Sequence, residues 1–238
     1  MPRKLFATGI IFCLVFMGMH AKGATFENEG LVIQDISGNL SPERFARLVS
    51  KVDAIFTKIL RFWSTEPRIA QFGKILVEFD NPDQKPGYSI FFFRKENRQR
   101  VRVVRVTGGD GYPHQLAHKL THALFPNPDK LIRNMMGEAS EIRFGNTLSF
   151  PMCSFDNDVW VMALSRAGSY IPLTKLGPDH RDWGMEIENN MPTIKDRARQ
   201  HVCYTEAGSF GEFLLEGYGI NKIKQFNNLS INKPRPWE

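Results

Sequence analysis

The sequence predicts an α+β fold, with a small sheet and one long helix in its first half and a helical second half. Three observations carry this. Phe45, Leu48, Val49, Val52, Ile55, Phe56, Ile59 and Trp63 recur at steps of three and four, the period of a single amphipathic helix. Three β-rich runs follow at residues 75–79, 88–93 and 101–106, separated by the turn signals Asn81-Pro82-Asp83 and Lys95-Glu96-Asn97. Beyond residue 108 the apolar spacing is again helical.

The chain opens Met1-Pro2-Arg3-Lys4, runs apolar over residues 5–19 and continues Ala21-Lys22-Gly23-Ala24. A basic start, an apolar run too short to span a bilayer and small residues at its end describe a signal peptide over residues 1–23. An uncleaved N-terminal anchor is the alternative. Export predicts a secreted or periplasmic protein, with no membrane attachment after cleavage. Arg3, Lys4 and Lys22 carry three of the six net positive charges, so +3 remains in the mature chain. That balance is too mild to indicate a nucleic-acid partner. Cys153 and Cys203 pair in an oxidising compartment if they are close enough, and otherwise stay as buried thiols. The mature chain, 24–238, is long enough for one domain, with a helix-and-sheet lobe at 24–107 and a helical lobe at 108–238. Nothing in the residues sets an oligomeric state.

Taken in order, residues 30–34 read as a short strand ending in Ser37-Gly38-Asn39. Ser41-Pro42-Glu43 supplies an N-cap, a proline at N1 and an acidic first turn for the long helix, which ends before Pro67. The last hairpin carries Arg94, Lys95, Arg98, Arg100, Arg102 and Arg105. Those charges suit a solvated edge, or the edge of a cleft that favours acidic ligands. A second helix is expected at 130–144, closed by Gly145-Asn146, and a third opens at Asp156 or Asp158 and closes at Gly168. Residues 171–176 read as a short docked segment, 177–191 as a long ordered loop, and 194–217 and 220–229 as the last helices.

The chemistry concentrates in Gly108-Gly109-Asp110-Gly111-Tyr112-Pro113-His114-Gln115-Leu116-Ala117-His118-Lys119-Leu120-Thr121-His122-Ala123-Leu124. A glycine-rich turn leads into a helix with Pro113 at its start. Residues four apart share a helix face, so His118 and His122 can aim at one point, half of a zinc ligand set. Leu116, Leu120 and Leu124 form the neighbouring stripe that buries the helix. His114 lies one turn earlier, drifted around the axis, and reads as a supporting or surface residue. His180 and His201 are isolated and read as structural or exposed, and Asp110 serves the turn.

The run resembles the HExxH helix of zinc metallopeptidases, with Lys119 in the place of the motif glutamate. The segments Tyr170-Ile171-Pro172-Leu173 and Tyr204-Thr205-Glu206-Ala207-Gly208-Ser209-Phe210, in this order, are similar to those of peptidase-MA-like gluzincins. The resemblance spans roughly residues 100–230 and implies a gluzincin-like zincin fold. It also implies a third zinc ligand on the following helix, about nineteen residues past the second histidine. That spacing lands on Glu141, with Glu138 one turn earlier as the reserve. Aligned instead through Met136-Gly137-Glu138-Ala139, the ligand position holds Met136, a poor partner for zinc, and a metal-free domain follows.

The motif glutamate moves the proton in peptide hydrolysis, and a lysine cation has three donors and no acceptor. The resemblance therefore implies an exported, zinc-binding, metallopeptidase-like protein degenerate in hydrolysis, which holds a peptide or protein in the former cleft. The alternative is an active hydrolase in which Lys119, deprotonated beside a metal, is the base. Tyr204 stands where a hydroxyl could support an oxyanion, or is a core tyrosine.

Overall fold

A computed structural model describes residues 23–84, 87–108, 115–146, 148, 151–188 and 191–231. Residues 1–22 of the proposed signal peptide, Asp110, Pro113 and His114 lie outside them.

The described chain is mixed α and β, as expected. Strands β1 (Thr25–Glu27), β2 (Leu31–Asp35), β3 (Ile75–Asp80), β4 (Tyr88–Glu96) and β5 (Gln99–Thr107) form one sheet in the order β1-β2-β3-β5-β4. The pairs β2–β3 and β3–β5 are parallel, while β1–β2 and β4–β5 are antiparallel. Helix α1 (Pro42–Trp63) joins β2 to β3, by way of the short α2 (Ile69–Phe72). The Ser41 hydroxyl accepts from the Arg44 N–H at 3.3 Å, and Ser64 ends α1 in the left-handed region at φ 46°. The β4–β5 turn places Asn97 and Arg98 at φ 46° and 68°, the paired positive values of a two-residue hairpin that matches strand twist.

Register decides what each strand residue does. Leu31, Ile33, Ile75, Val77, Phe79, Val104 and Val106 are aligned across neighbouring strands, are buried, and join one core with α1 and the helices below. The opposite face carries Glu78, opposite Arg105 and gripped by both Arg105, at 2.8 Å, and Arg94. Two of the hairpin arginines are thus spent on a buried carboxylate. Arg102 departs further from the expected solvated edge. It lies on the core face of β5, fully buried, and donates to the carbonyls of Ala123 at 3.0 Å, Pro67 at 2.9 Å, and Gly73. The residues alternate with period two, and the inward phase takes an arginine. Of the hairpin, β4 is the edge strand, and β1 forms the other edge of the sheet.

The helical half comprises α3 (Leu116–Leu124), α4 (Lys130–Phe144), α5 (Asn157–Arg166) and α6 (Arg197–Ser230). The Asp129 carboxylate caps α4 through the N–H groups of Leu131 and Ile132 at 2.8 and 3.2 Å, and Asp156 caps α5. Two expectations are corrected between α5 and α6. Residues 177–191 are not wholly a loop, because β6 (Met185–Glu188) pairs with β7 (Met191–Ile194). Ile194 is accordingly strand, and α6 starts at Arg197 on an Asp196 cap, running through to a break at Gly219, φ 73°. A smaller core of Leu131, Leu176, Trp183, Met185, Cys203, Tyr204 and Ala207 lies under this segment. Cys153 is exposed and Cys203 buried, and both are free thiols, so the pairing left open by the sequence is not made. Burial pushes the Cys203 thiol up to about 12, which makes it inert. Among the described residues no helix is long and apolar enough to cross a membrane.

Candidate functional site

Helix α3 is buried on every side, including His118, Lys119, Thr121 and His122. Such a helix is held by its surroundings rather than by amphipathicity. It packs against α1, α4, β4 and β5. Gln115, at φ 58°, gives α3 a left-handed entry. The position of Pro113 at the helix start lies outside the described residues.

The structure brings His118 and His122 together, with ring centroids 4.3 Å apart. Around them α4 places Asn134, Gly137, Glu138 and Glu141. The Asn134 amide oxygen is 3.1 Å from His118 Nε2, and Glu138 Oε1 is 2.8 Å from His118 Nδ1. Gly137 lets the imidazole sit against the α4 backbone, since a Cβ there would come within 2.6 Å of the ring. Glu141 does something different. Its carboxylate accepts the backbone N–H groups of His118 at 3.0 Å and Asn146 at 3.3 Å, capping α3 from a neighbouring helix. Met136 is buried in the main core.

The electrostatics follow from burial. Burial drives the Glu138 carboxyl well above the usual range, helped by the Glu141 charge and opposed by Lys119. Burial also raises Glu141, to about 7, with the two backbone donors pulling the other way. His122 is held well below the ordinary imidazole value by burial, then by the charges of His118 and Lys119. Lys119 is lowered to about 8 by burial, and Glu138 resists that shift. The Tyr204 phenol is raised by burial and by Glu138.

A cavity of about 880 Å³ opens beside this cluster. Tyr88, Ser89, Ile90 and Phe91 of the β4 edge form one wall, and Gln115, Lys119 and His122 of α3 the floor. Lys130, Arg133 and Asn134 of α4 and Arg197, Gln200, His201 and Tyr204 of α6 complete it with Cys153 and His180. The Tyr204 ring lies 5.8 Å from that of His118 and is crossed at 5.3 Å by Trp183, so it is both a core residue and a wall residue. His180 and His201 were not expected at a site. His201 Nε2 is 2.7 Å from the Pro151 carbonyl, with its ring edge-on to Trp160. No signal in the sequence distinguished these two histidines. Lys130 did leave one, since it is a basic residue in the first turn of a helix, the wrong sign for its dipole.

His122 Nε2 and both oxygens of Glu138 are buried without an aligned hydrogen-bond partner, despite the close approach of Glu138 to His118. His122 and Glu138, with His118 beside them, are donor types that zinc takes, although both His118 ring nitrogens already have near partners in Asn134 and Glu138. Glu141 has its carboxylate occupied by backbone donors. Among the described residues no group of three or more His, Cys, Asp or Glu side chains is placed so as to hold a metal ion. No family model, no curated protein and no solved structure matches the chain.

Proposed function

We propose that this is an exported, gluzincin-like binding protein that holds an extended peptide against the β4 edge without hydrolysing it. The observation that carries the reading is the cavity wall. Among the described residues that line it there is no carboxylate, and the position of the motif glutamate holds Lys119. Peptide cleavage needs an acceptor for a proton of the attacking water and a donor for the leaving amine. A lysine cation supplies no acceptor. An open strand edge beside a half-open cavity instead suits an added peptide strand, with main-chain hydrogen bonds for affinity and the cavity for a side chain. Tyr88 to Phe91 on β4 offer that edge.

The same reading retains a metal. His118, His122 and Glu138 would hold zinc, and Asn134 would orient the His118 ring. This reverses the order given by spacing, since Glu141 is engaged with the α3 backbone. When bound, zinc supplies a positive centre that polarises a carbonyl. The chain's own residues then position it. Gly137 admits the ring, Glu141 fixes the helix end, and Tyr204 covers the cluster.

The test combines metal content, hydrolysis and binding on protein recovered from the periplasm or medium. About one zinc per chain is expected, no peptidase activity above a zinc-stripped control, and saturable binding of unstructured peptides. His122→Ala and Glu138→Gln should each lose the metal, whereas Glu141→Gln should lower stability and keep it. Zinc-dependent cleavage by the wild type would overturn the non-hydrolytic reading and make Lys119 the catalytic group. Loss of zinc in Glu141→Gln but not in Glu138→Gln would restore the order set by spacing.

A further inference from the structure

Lys130 is the least explained charge in the molecule. It is 2 % exposed, its ammonium has no hydrogen-bond partner, and it faces the cavity. It occupies the first turn of the fifteen-residue α4, where the dipole disfavours a cation and the Asp129 carboxylate already takes the Leu131 and Ile132 N–H groups. Arg133, one turn on, lines the same cavity with Nε buried and unbonded, while its Nη1 donates to the Asn127 carbonyl at 3.3 Å. Neither makes an ion pair with a described carboxylate. The Lys130 ammonium instead stands over the Trp183 ring, 5.2 Å from its centre.

Asp129 favours the Arg133 cation but is turned to the α4 backbone, so on the cavity side the two buried cations lack a described carboxylate, a costly arrangement unless something negative joins them. Burial lowers the Lys130 amine to about 7, with Arg133 and Lys119 adding to the shift. An anion seated there would gain both side chains. The cavity is continuous from these residues to the β4 edge.

We propose that Lys130 and Arg133 form a subsite for a carboxylate of a peptide lying along β4. This rests on the peptide-binding reading above, and it adds the ligand's chemistry. The carboxylate can be a C-terminus or an acidic side chain, and both sources present the same planar pair of oxygens to the arginine fork.

The experiment measures binding of three fluorescent acetylated peptides of equal length by anisotropy. One is neutral with a free C-terminus, one has an internal Glu and an amidated end, and one is neutral and amidated. A carboxylate peptide is expected to bind about ten-fold or more tightly than the neutral amide. Preference for the free C-terminus or for the internal Glu identifies the source, and either supports the subsite. Lys130→Met should erase the preference while raising the melting temperature, because a buried cation is removed. Arg133→Gln should weaken carboxylate binding without that gain in stability. Equal binding of all three peptides, or a preference that survives Lys130→Met, overturns the subsite and leaves peptide binding standing. No binding by any peptide sinks the peptide reading itself. Acetate binding as tightly as the peptides overturns the peptide part and leaves a small-anion site.

Discussion

The His118 ring lies against the backbone of Gly137, so closely that a Cβ at 137 would meet its Cδ2 at 2.6 Å and its Nε2 at 2.7 Å. Helix α4 therefore approaches α3 at the one residue that lacks a side chain, and Asn134, Glu138 and Glu141 are brought to α3 by that approach. Gly137→Ala is expected to destabilise the fold by about 1–3 kcal/mol, the usual cost of overpacking. It should also weaken zinc binding, because the imidazole has to turn. Urea unfolding midpoints and metal titration read the two effects. An alanine that gained its ordinary helix propensity and stabilised the protein would show that the contact relaxes freely.

Arg102 ties β5 to three carbonyls, one at the end of α3 and two in the chain between α1 and β3. Burial lowers its guanidinium to about 10, which still leaves a cation at neutral pH. Arg102→Met leaves those carbonyls without their donor, at about 1–3 kcal/mol each, and should lower the unfolding midpoint severely. Arg102→Lys should recover little, since one ammonium on a flexible stem does not reproduce a planar fork. Full recovery by lysine would mean that charge alone matters there.

How far the sequence could be read depended on whether a local pattern or a distant contact decided the outcome. The Ser41-Pro42 start, the period of α1 and the bounds of α4 are local and matched. The His118–His122 adjacency followed from helical spacing. The inward phase of Arg102 was not legible, because alternation fixes which residues share a face but not which face meets the core. The β6–β7 hairpin was hidden by glycine and proline breaks. Glu138 and Glu141 lie a single turn apart, and counting residues could not tell a carboxylate that meets a ring from one that meets a backbone N–H. The cavity's cations come from three separate elements, α3, α4 and α6, which only the fold brings together.

Glu206 gives a pH dependence with a definite sign. Its Oε1 accepts the Ile171 N–H at 2.8 Å, and burial raises its carboxyl to about 7, with that donor and Arg199 opposing. The folded state therefore keeps a proton that the unfolded chain releases near the ordinary 4.5. Stability from this group is fully present below that value and is lost as pH rises through about 7. Glu206→Gln keeps an acceptor for Ile171 and removes the titration. Its melting temperature, relative to wild type, should rise between pH 4.5 and pH 8. An identical pH profile for both proteins would show that Glu206 ionises normally.

Lys119 is the residue on which the chemistry turns. It is buried, lowered to about 8, and its ammonium lies 5.8 Å from the centre of the Tyr204 ring. The charges of Glu138 and Glu141 both favour its cation. Lys119→Glu would put a third buried carboxyl among two whose protons are already held by burial, so the metal-free variant should unfold more easily. A divalent cation reverses that penalty, and added zinc should raise the melting temperature of Lys119→Glu by more than that of the wild type. Where the wild type is silent, the zinc-loaded variant is expected to cleave unstructured peptides, since general acid–base help is worth about 10²–10⁴-fold. Thermal scans with and without zinc, run beside a peptidase assay, separate the two claims. A variant that zinc stabilises no more than the wild type would show that position 119 does not face the proposed metal, and that its lysine serves the cationic cavity alone.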